Sequence, residues 1–141
     1  MAELRDYGWY QSEYPSRNDT TVLVAATDDQ TLITAKSANH QIFVQRVKVT
    51  ITTYAAVTWL FKDSAGTPVP IWLISIPAAA VALPSESNSM IADFGPEGIP
   101  LSIGKNFLLD VSAAGAAGTV QVEAYERLMG VISDRAGATL Q

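Results

Sequence analysis

The 141-residue chain has one histidine, His40, and no cysteine. A serine or cysteine nucleophile needs an adjacent base, so any such couple has to be assembled around this single imidazole. Ser37 precedes it by three residues in "SANHQ", where a hydroxyl serves as a turn former. No orienting acid stands at a recognisable spacing. Paired carboxylates could share general acid and base work if burial drove their pKa values apart. The adjacent pair Asp28-Asp29 falls between two apolar runs, on a polar turn whose neighbouring side chains point apart and stay solvated. A calcium loop of the D-x-D-x-D-G kind is missing, and "GKN" at 104–106 lacks the preceding glycine and following hydroxyl of a phosphate-cradling loop. A thiolate zinc site is excluded by the lack of cysteine. These residues point to a protein that is not an enzyme and holds no cofactor or metal.

Recognition is the chemistry that remains. "YGWYQSEYP" places Tyr7, Trp9, Tyr10 and Tyr14 within eight residues, four of the chain's twelve aromatics. Tyrosine and tryptophan dominate interface hot spots because each brings a large apolar area with a polar tip. Fully burying one large apolar side chain stabilises by roughly 1.5–3 kcal/mol, so several together suffice for docking after the ordering cost of an arm. The arm either grips another protein or folds back over its own domain. Charged residues are 16% of the chain, below the usual share of about 25%, which leaves neutral surface for a partner to cover. The net charge is −5 and the nine basic residues are scattered from Arg5 to Arg135, against a nucleic-acid partner, which needs them clustered. The start "MAELRDYGWY" carries charge where a secretion signal needs an apolar run, so the acceptor-like "NDT" at Asn18 is taken as chance. "PVPIWLISIPAAAVALP", Pro68 to Pro84, is uncharged but short and interrupted by four prolines, against a membrane span of about 20 unbroken apolar residues.

The elements that must position these residues show alternation of period two. Val57, Trp59 and Phe61 alternate with Thr58, Leu60 and Lys62, and Val120, Val122 and Ala124 with Gln121 and Glu123. On a strand, such alternation sends one set to a core and the other to solvent. Strands are expected near 21–26, 31–36, 41–54, 57–62, 69–76, 89–94, 106–112 and 118–127, with "AYERLMG" continuing the last of them. Short strands at this spacing indicate an all-β antiparallel sandwich of about eight strands. An arm over 1–20, a sandwich domain over 21–127 and a tail over 128–141 complete the division.

In "QIFVQRVKVTITTY", Ile42 and Val44 share one parity and Val47, Val49 and Ile51 the other. One extra residue near Gln45-Arg46, a β-bulge, restores a common inward face; the other reading is a strand buried on both faces. "IWLISI" is apolar at both parities, as a strand buried on both faces would be. A neighbouring copy is a plausible cover, with Trp72 and the run Ala78 to Val81 as interface candidates. Gly95 and Gly98 permit positive φ, and Pro96 and Pro100 stiffen a long connection between sheets.

Taken together, the "TVLVAA…TLITA…IFVQRVKVTIT" pair and "GIPLSIGKNFLLDVSAAGAAGTVQVEAYE" resemble head decoration (cement) proteins of tailed bacteriophages. The matching elements are Gly98, Pro100, Leu101, Gly104, Phe107 to Leu109, the turn Ala113 to Gly118 and Tyr125. The likeness spans about residues 20–127. It implies a jelly-roll-like sandwich that forms a homotrimer on the outer surface of the virion and bridges major capsid protein subunits, without an active site or cofactor. Tyr7, Trp9, Tyr10 and Tyr14 are then candidates for capsid contact, and Trp72, Ala78 and Val81 for the oligomer interface. The alternative is a phage tail or fibre module that recognises a host receptor or glycan.

Overall fold

The computed structural model describes residues 16–17, 19–24, 29–78 and 89–129. They form two antiparallel sheets and no helix. In chain order the strands are β1 (Ser16–Arg17), β2 (Thr20–Val24), β3 (Gln30–Ile33), β4 (His40–Thr53), β5 (Val57–Asp63), β6 (Pro70–Ile76), β7 (Ser89–Asp93), β8 (Ile99–Pro100), β9 (Phe107–Val111) and β10 (Ala117–Leu128). One sheet runs β2, β10, β4, β7, with β1 extending the β2 side and β8 the β7 side. The other runs β3, β9, β5, β6. We call them sheets A and B.

The eight longer strands pair first with last and inward from there: β2 with β10, β3 with β9, β4 with β7, β5 with β6. Successive pairs alternate between the sheets. This is a long antiparallel ribbon wrapped on itself, a jelly roll; the strand pattern predicts the sandwich, and the resemblance implies the jelly-roll order. Alternating side chains from both inner faces fill the core. Val47, Val49, Val120 and Val122 come from sheet A, and Trp59, Phe61, Phe107 and Leu109 from sheet B, each at most 1% exposed.

The bulge in β4 lies where the parity break placed it. Arg46 pairs with Glu123 and Val44 with Ala124, so Gln45 is the extra residue. The opposite edge of β4 breaks at the same point. β7 pairs with Arg46–Thr50 and β8 with Phe43–Val44, and the Gln45 carbonyl accepts Phe94 N–H at 2.8 Å between them. The turn at 95–98 spans that break, with Gly95 and Gly98 at φ 85° and 74°. A Cβ on Gly98 would sit 2.9 Å from the Val44 carbonyl oxygen, so the turn passes too close to β4 for a side chain.

Beyond β8 the chain leaves sheet A for sheet B. Leu101 plugs the core, 1% exposed, and its N–H donates to the Ile42 carbonyl at 2.9 Å. Asp63, at an inward position of β5 and fully enclosed, ties this crossing down. Its carboxylate accepts N–H bonds from Ala65 (3.1 Å), Val69 (2.9 Å) and Ser102 (2.9 Å). Burial alone would raise its pKa. The bonds from Val69, from the Ser102 N–H and hydroxyl, and from Ala65 outweigh that and hold it below the ordinary 3.8.

One expectation is corrected. The second strand stops at Ile33, not near 36, because the Ala35 and Lys36 N–H groups are taken by the side chains of Asn106 (3.0 Å) and Glu126 (3.1 Å). Within the chain β6, the outermost strand of sheet B among the described residues, buries Ile74 and Ile76 on its inward face and leaves Leu73 59% exposed on the outward face, the side for which a neighbouring copy is the expected cover. "AYER" does continue the last strand, which runs to Leu128.

Candidate interaction surfaces

Of the residues expected to make contacts, Tyr7, Trp9, Tyr10, Tyr14 and Val81 lie outside the described residues. Trp72 points inward and stacks on Phe61, with ring centroids 5.5 Å apart, and is half-buried. Ala78 is exposed two residues past the end of β6. His40 opens β4, and its Nδ1 lies 2.7 Å from the Ser37 hydroxyl. That oxygen already accepts Asn39 N–H at 3.1 Å, so the contact closes a surface turn. Among the described residues no group of three or more His, Asp or Glu side chains could hold a metal ion.

The outward face of sheet A is built in rows, because residues opposite one another on neighbouring strands share a face. One row runs Arg17, Tyr125, Phe43, Pro100. The next carries Glu123, Arg46 and Asp93, and the one after it Thr21, Gln121, Lys48 and Ile91. Tyr125 and Phe43, paired directly, stack at 4.8 Å and 5°. The Arg127 guanidinium lies over both rings, 5.7 and 6.0 Å from their centroids, within cation–π range. The Tyr125 hydroxyl donates to the Glu97 carbonyl at 2.6 Å, tying the 95–98 turn to the same row.

Gln45, the bulged residue, joins the two sides of this face. Its Oε1 accepts from Arg17 Nη1 at 2.6 Å and its Nε2 donates to the Pro96 carbonyl at 2.6 Å. Arg17 also pairs with Asp19 at 2.8 Å. Two open grooves flank the Arg46–Glu123 pair. One of about 400 Å³ is lined by Asp19, Thr20, Thr21, Lys48 and Gln121 among others, and one of about 280 Å³ by Arg17, Gln45, Asp93 and Pro96 among others. Arg46 Nη1 is 3.5 Å from Glu123 Oε2, while its buried Nε has no hydrogen-bond partner among the described residues. A buried N–H in that state is a donor that an incoming acceptor would satisfy.

Sequence reasoning missed this face. Its one local signal was Phe43, an aromatic at the outward parity of β4 beside inward Ile42 and Val44. What makes it a cluster is the register that brings Tyr125 opposite and Arg127 alongside, 82 residues or more later in the chain.

No family model matches the chain, and no curated protein does. A solved chain from work described as "Bacillus endospore appendages form a novel family of disulfide-linked pili" is similar over 84% of this chain and 94% of its own, at 12% identity and a TM-score of 0.40. A score that low bears on neither fold nor function.

Proposed function

We propose that this chain is a structural virion protein, a decoration or cement protein on the outer surface of a phage head. It stabilises the head by bridging neighbouring major capsid subunits, acts as a homotrimer, and carries no catalytic group or cofactor. The observation that carries this reading is the outward face of sheet A. It holds an aromatic pair under an arginine, a buried arginine N–H with no partner among the described residues, and the point where the N-terminal arm joins the sheet, at Arg17 opposite Tyr125. Aromatic and arginine side chains are the usual anchors of protein interfaces. Tyr14 stands two residues before Ser16 in the sequence. The arm's aromatics and the face's own pair would then act as one contact, and three such contacts per trimer would add by multivalency.

The experiment is to titrate purified protein onto expanded, empty heads of the parental phage and follow their rupture temperature. Saturable binding with a raised rupture temperature is expected, and both should fall when residues 1–14 are deleted or Arg127 is replaced by alanine. Heads that neither bind the protein nor gain stability refute the proposal. The polar groove between Asp19, Lys48 and Gln121 favours one second reading, recognition of a host glycan by a tail or fibre module. Binding to host cells but not to heads would select it.

A further inference from the structure

Both sheets expose aliphatic side chains outward, Leu23 and Ile91 on sheet A and Leu73 on sheet B, but the outward face of sheet B carries fewer charges. Leu60 on β5 stands opposite Leu73 on β6, and on its other side opposite Asp110 on β9. Leu108 lies one row along, opposite Lys62. Leu73 is 59% exposed and Leu60 and Leu108 are partly exposed. Thr58 and Ser75 continue the face without charge. Its charged groups, Lys62 and Asp110, neutralise each other at 2.7 Å.

This internal pairing bears on what covers the face. A charged partner would be met by unpaired charge of opposite sign, as Lys48 and Arg127 of sheet A, which make no ion pair among the described residues, offer. A face carrying an unpaired charge would repel an identical copy, since like charges brought together disfavour association. Here the charge is cancelled within each copy, so two or three identical faces can meet without repulsion. The border strand agrees. β6 has no neighbour on its outer side among the described residues, and its seven residues, "PIWLISI", include no charge. Edge strands that stay free are normally blunted with charge, proline or bulges, and β6 carries its one proline, Pro70, at its first residue. The bulge between Phe61 and Lys62 tilts only the Pro70 end of β6, and Leu73 to Ile76 stay regular.

We infer that the outward face of sheet B, centred on Leu60, Leu73 and Leu108 and bordered by β6, is the surface through which copies of this chain self-associate. This rests on the homo-oligomer in the function proposed above and names its contact face, which is distinct from the Trp72 side of β6. The chain's lack of cysteine permits a direct test. Leu73→Cys, oxidised in solution, should give disulfide-linked dimers on a denaturing gel, while Thr21→Cys on the outward face of sheet A should not. Leu73→Glu should keep the circular dichroism of the wild type and weaken self-association, read by sedimentation, by about tenfold or more. A wild-type monomer at micromolar concentration, a Leu73→Glu protein that sediments as wild type, or a Leu73→Cys protein that fails to cross-link overturns the inference. Head binding is read separately. A Leu73→Glu protein that stays trimeric and binds heads refutes the face but keeps the function. A wild-type oligomer that cross-links through Leu73→Cys yet ignores heads does the reverse.

Discussion

Replacing Asp63 by asparagine isolates the group that closes one end of the sandwich. The carboxylate is fully enclosed and accepts three backbone N–H groups from two different loops. Asparagine can keep the two bonds from Ala65 and Val69 on its one oxygen, but then turns an NH₂ group toward Ser102 N–H. The loss is one buried bond to a charged acceptor plus an unsatisfied donor, about 2–4 kcal/mol at neutral pH. For a domain of this length about 1 kcal/mol moves Tm by roughly 3 °C, so a drop of roughly 6–12 °C is expected. The pH dependence fixes the cause. The folded carboxyl has a pKa below its ordinary 3.8, so its contribution is complete above 3.8 and fades as pH falls through the lower folded value. Thermal melts followed by tryptophan fluorescence at neutral and acid pH should show the gap between the two proteins narrowing below pH 3.8. Equal melting temperatures at neutral pH, or a gap that persists unchanged into acid, refute the reasoning.

Substitutions at three further positions test other parts of the fold. Gly104 has φ 77°, and a Cβ there would lie 2.6 Å from the Ala38 carbonyl oxygen, so Gly104→Ala should cost about 2 kcal/mol or more by urea denaturation. Trp59 is fully buried and its indole N–H has no partner among the described residues. Trp59→Phe therefore trades lost packing against removal of an unsatisfied donor and should stay within about 1.5 kcal/mol of wild type, whereas Trp59→Ala should lose about 3–5 kcal/mol. Tyr125→Phe keeps the ring stack and deletes the bond to Glu97, costing about 0.5–1.5 kcal/mol and speeding amide exchange in the 95–98 turn.

The fold was legible where side-chain parity carries the information. The change of parity between Val44 and Val47 pointed to a bulge near Gln45-Arg46, since a strand facing one core cannot switch faces without an extra residue; the register then singles out Gln45. Gly95 and Gly98 marked the turn that spans the same break. β6 was legible in part, because a run apolar at both parities does not say which parity faces the chain's own core; that depends on which strands pair and on the sheet packed opposite. Asp63 was open to reading. The alternation Val57, Trp59, Phe61 carries a carboxylate onto the next inward position, and a buried acid must be matched by donors. The donors, Val69 and Ser102, come from loops whose approach no local pattern reveals. The Tyr7 to Tyr14 cluster was conspicuous in composition, yet Tyr125, Phe43 and Arg127 assemble through register between β4 and β10, two strands more than 60 residues apart.

The two outward faces also differ in how salt should act on them, and this tests both assignments at once. The sheet A face presents Arg17, Arg46, Lys48 and Arg127 beside Asp19, Asp93 and Glu123, most of them in solvent. Contacts made by exposed charges are screened over a Debye length of about 8 Å at physiological salt and about 3 Å at 1 M. Binding of heads through this face should therefore weaken as sodium chloride rises, chiefly through a slower association rate. On sheet B the charge is cancelled within each copy by the Lys62–Asp110 pair, and what would be removed from water is leucine side chain. Burial of that kind does not depend on long-range charge. Sedimentation across the same salt series should leave the oligomer unchanged while head binding declines. An oligomer that dissociates in step with head binding would mean that charged surface holds the copies together, and the roles given to the two faces would have to be exchanged.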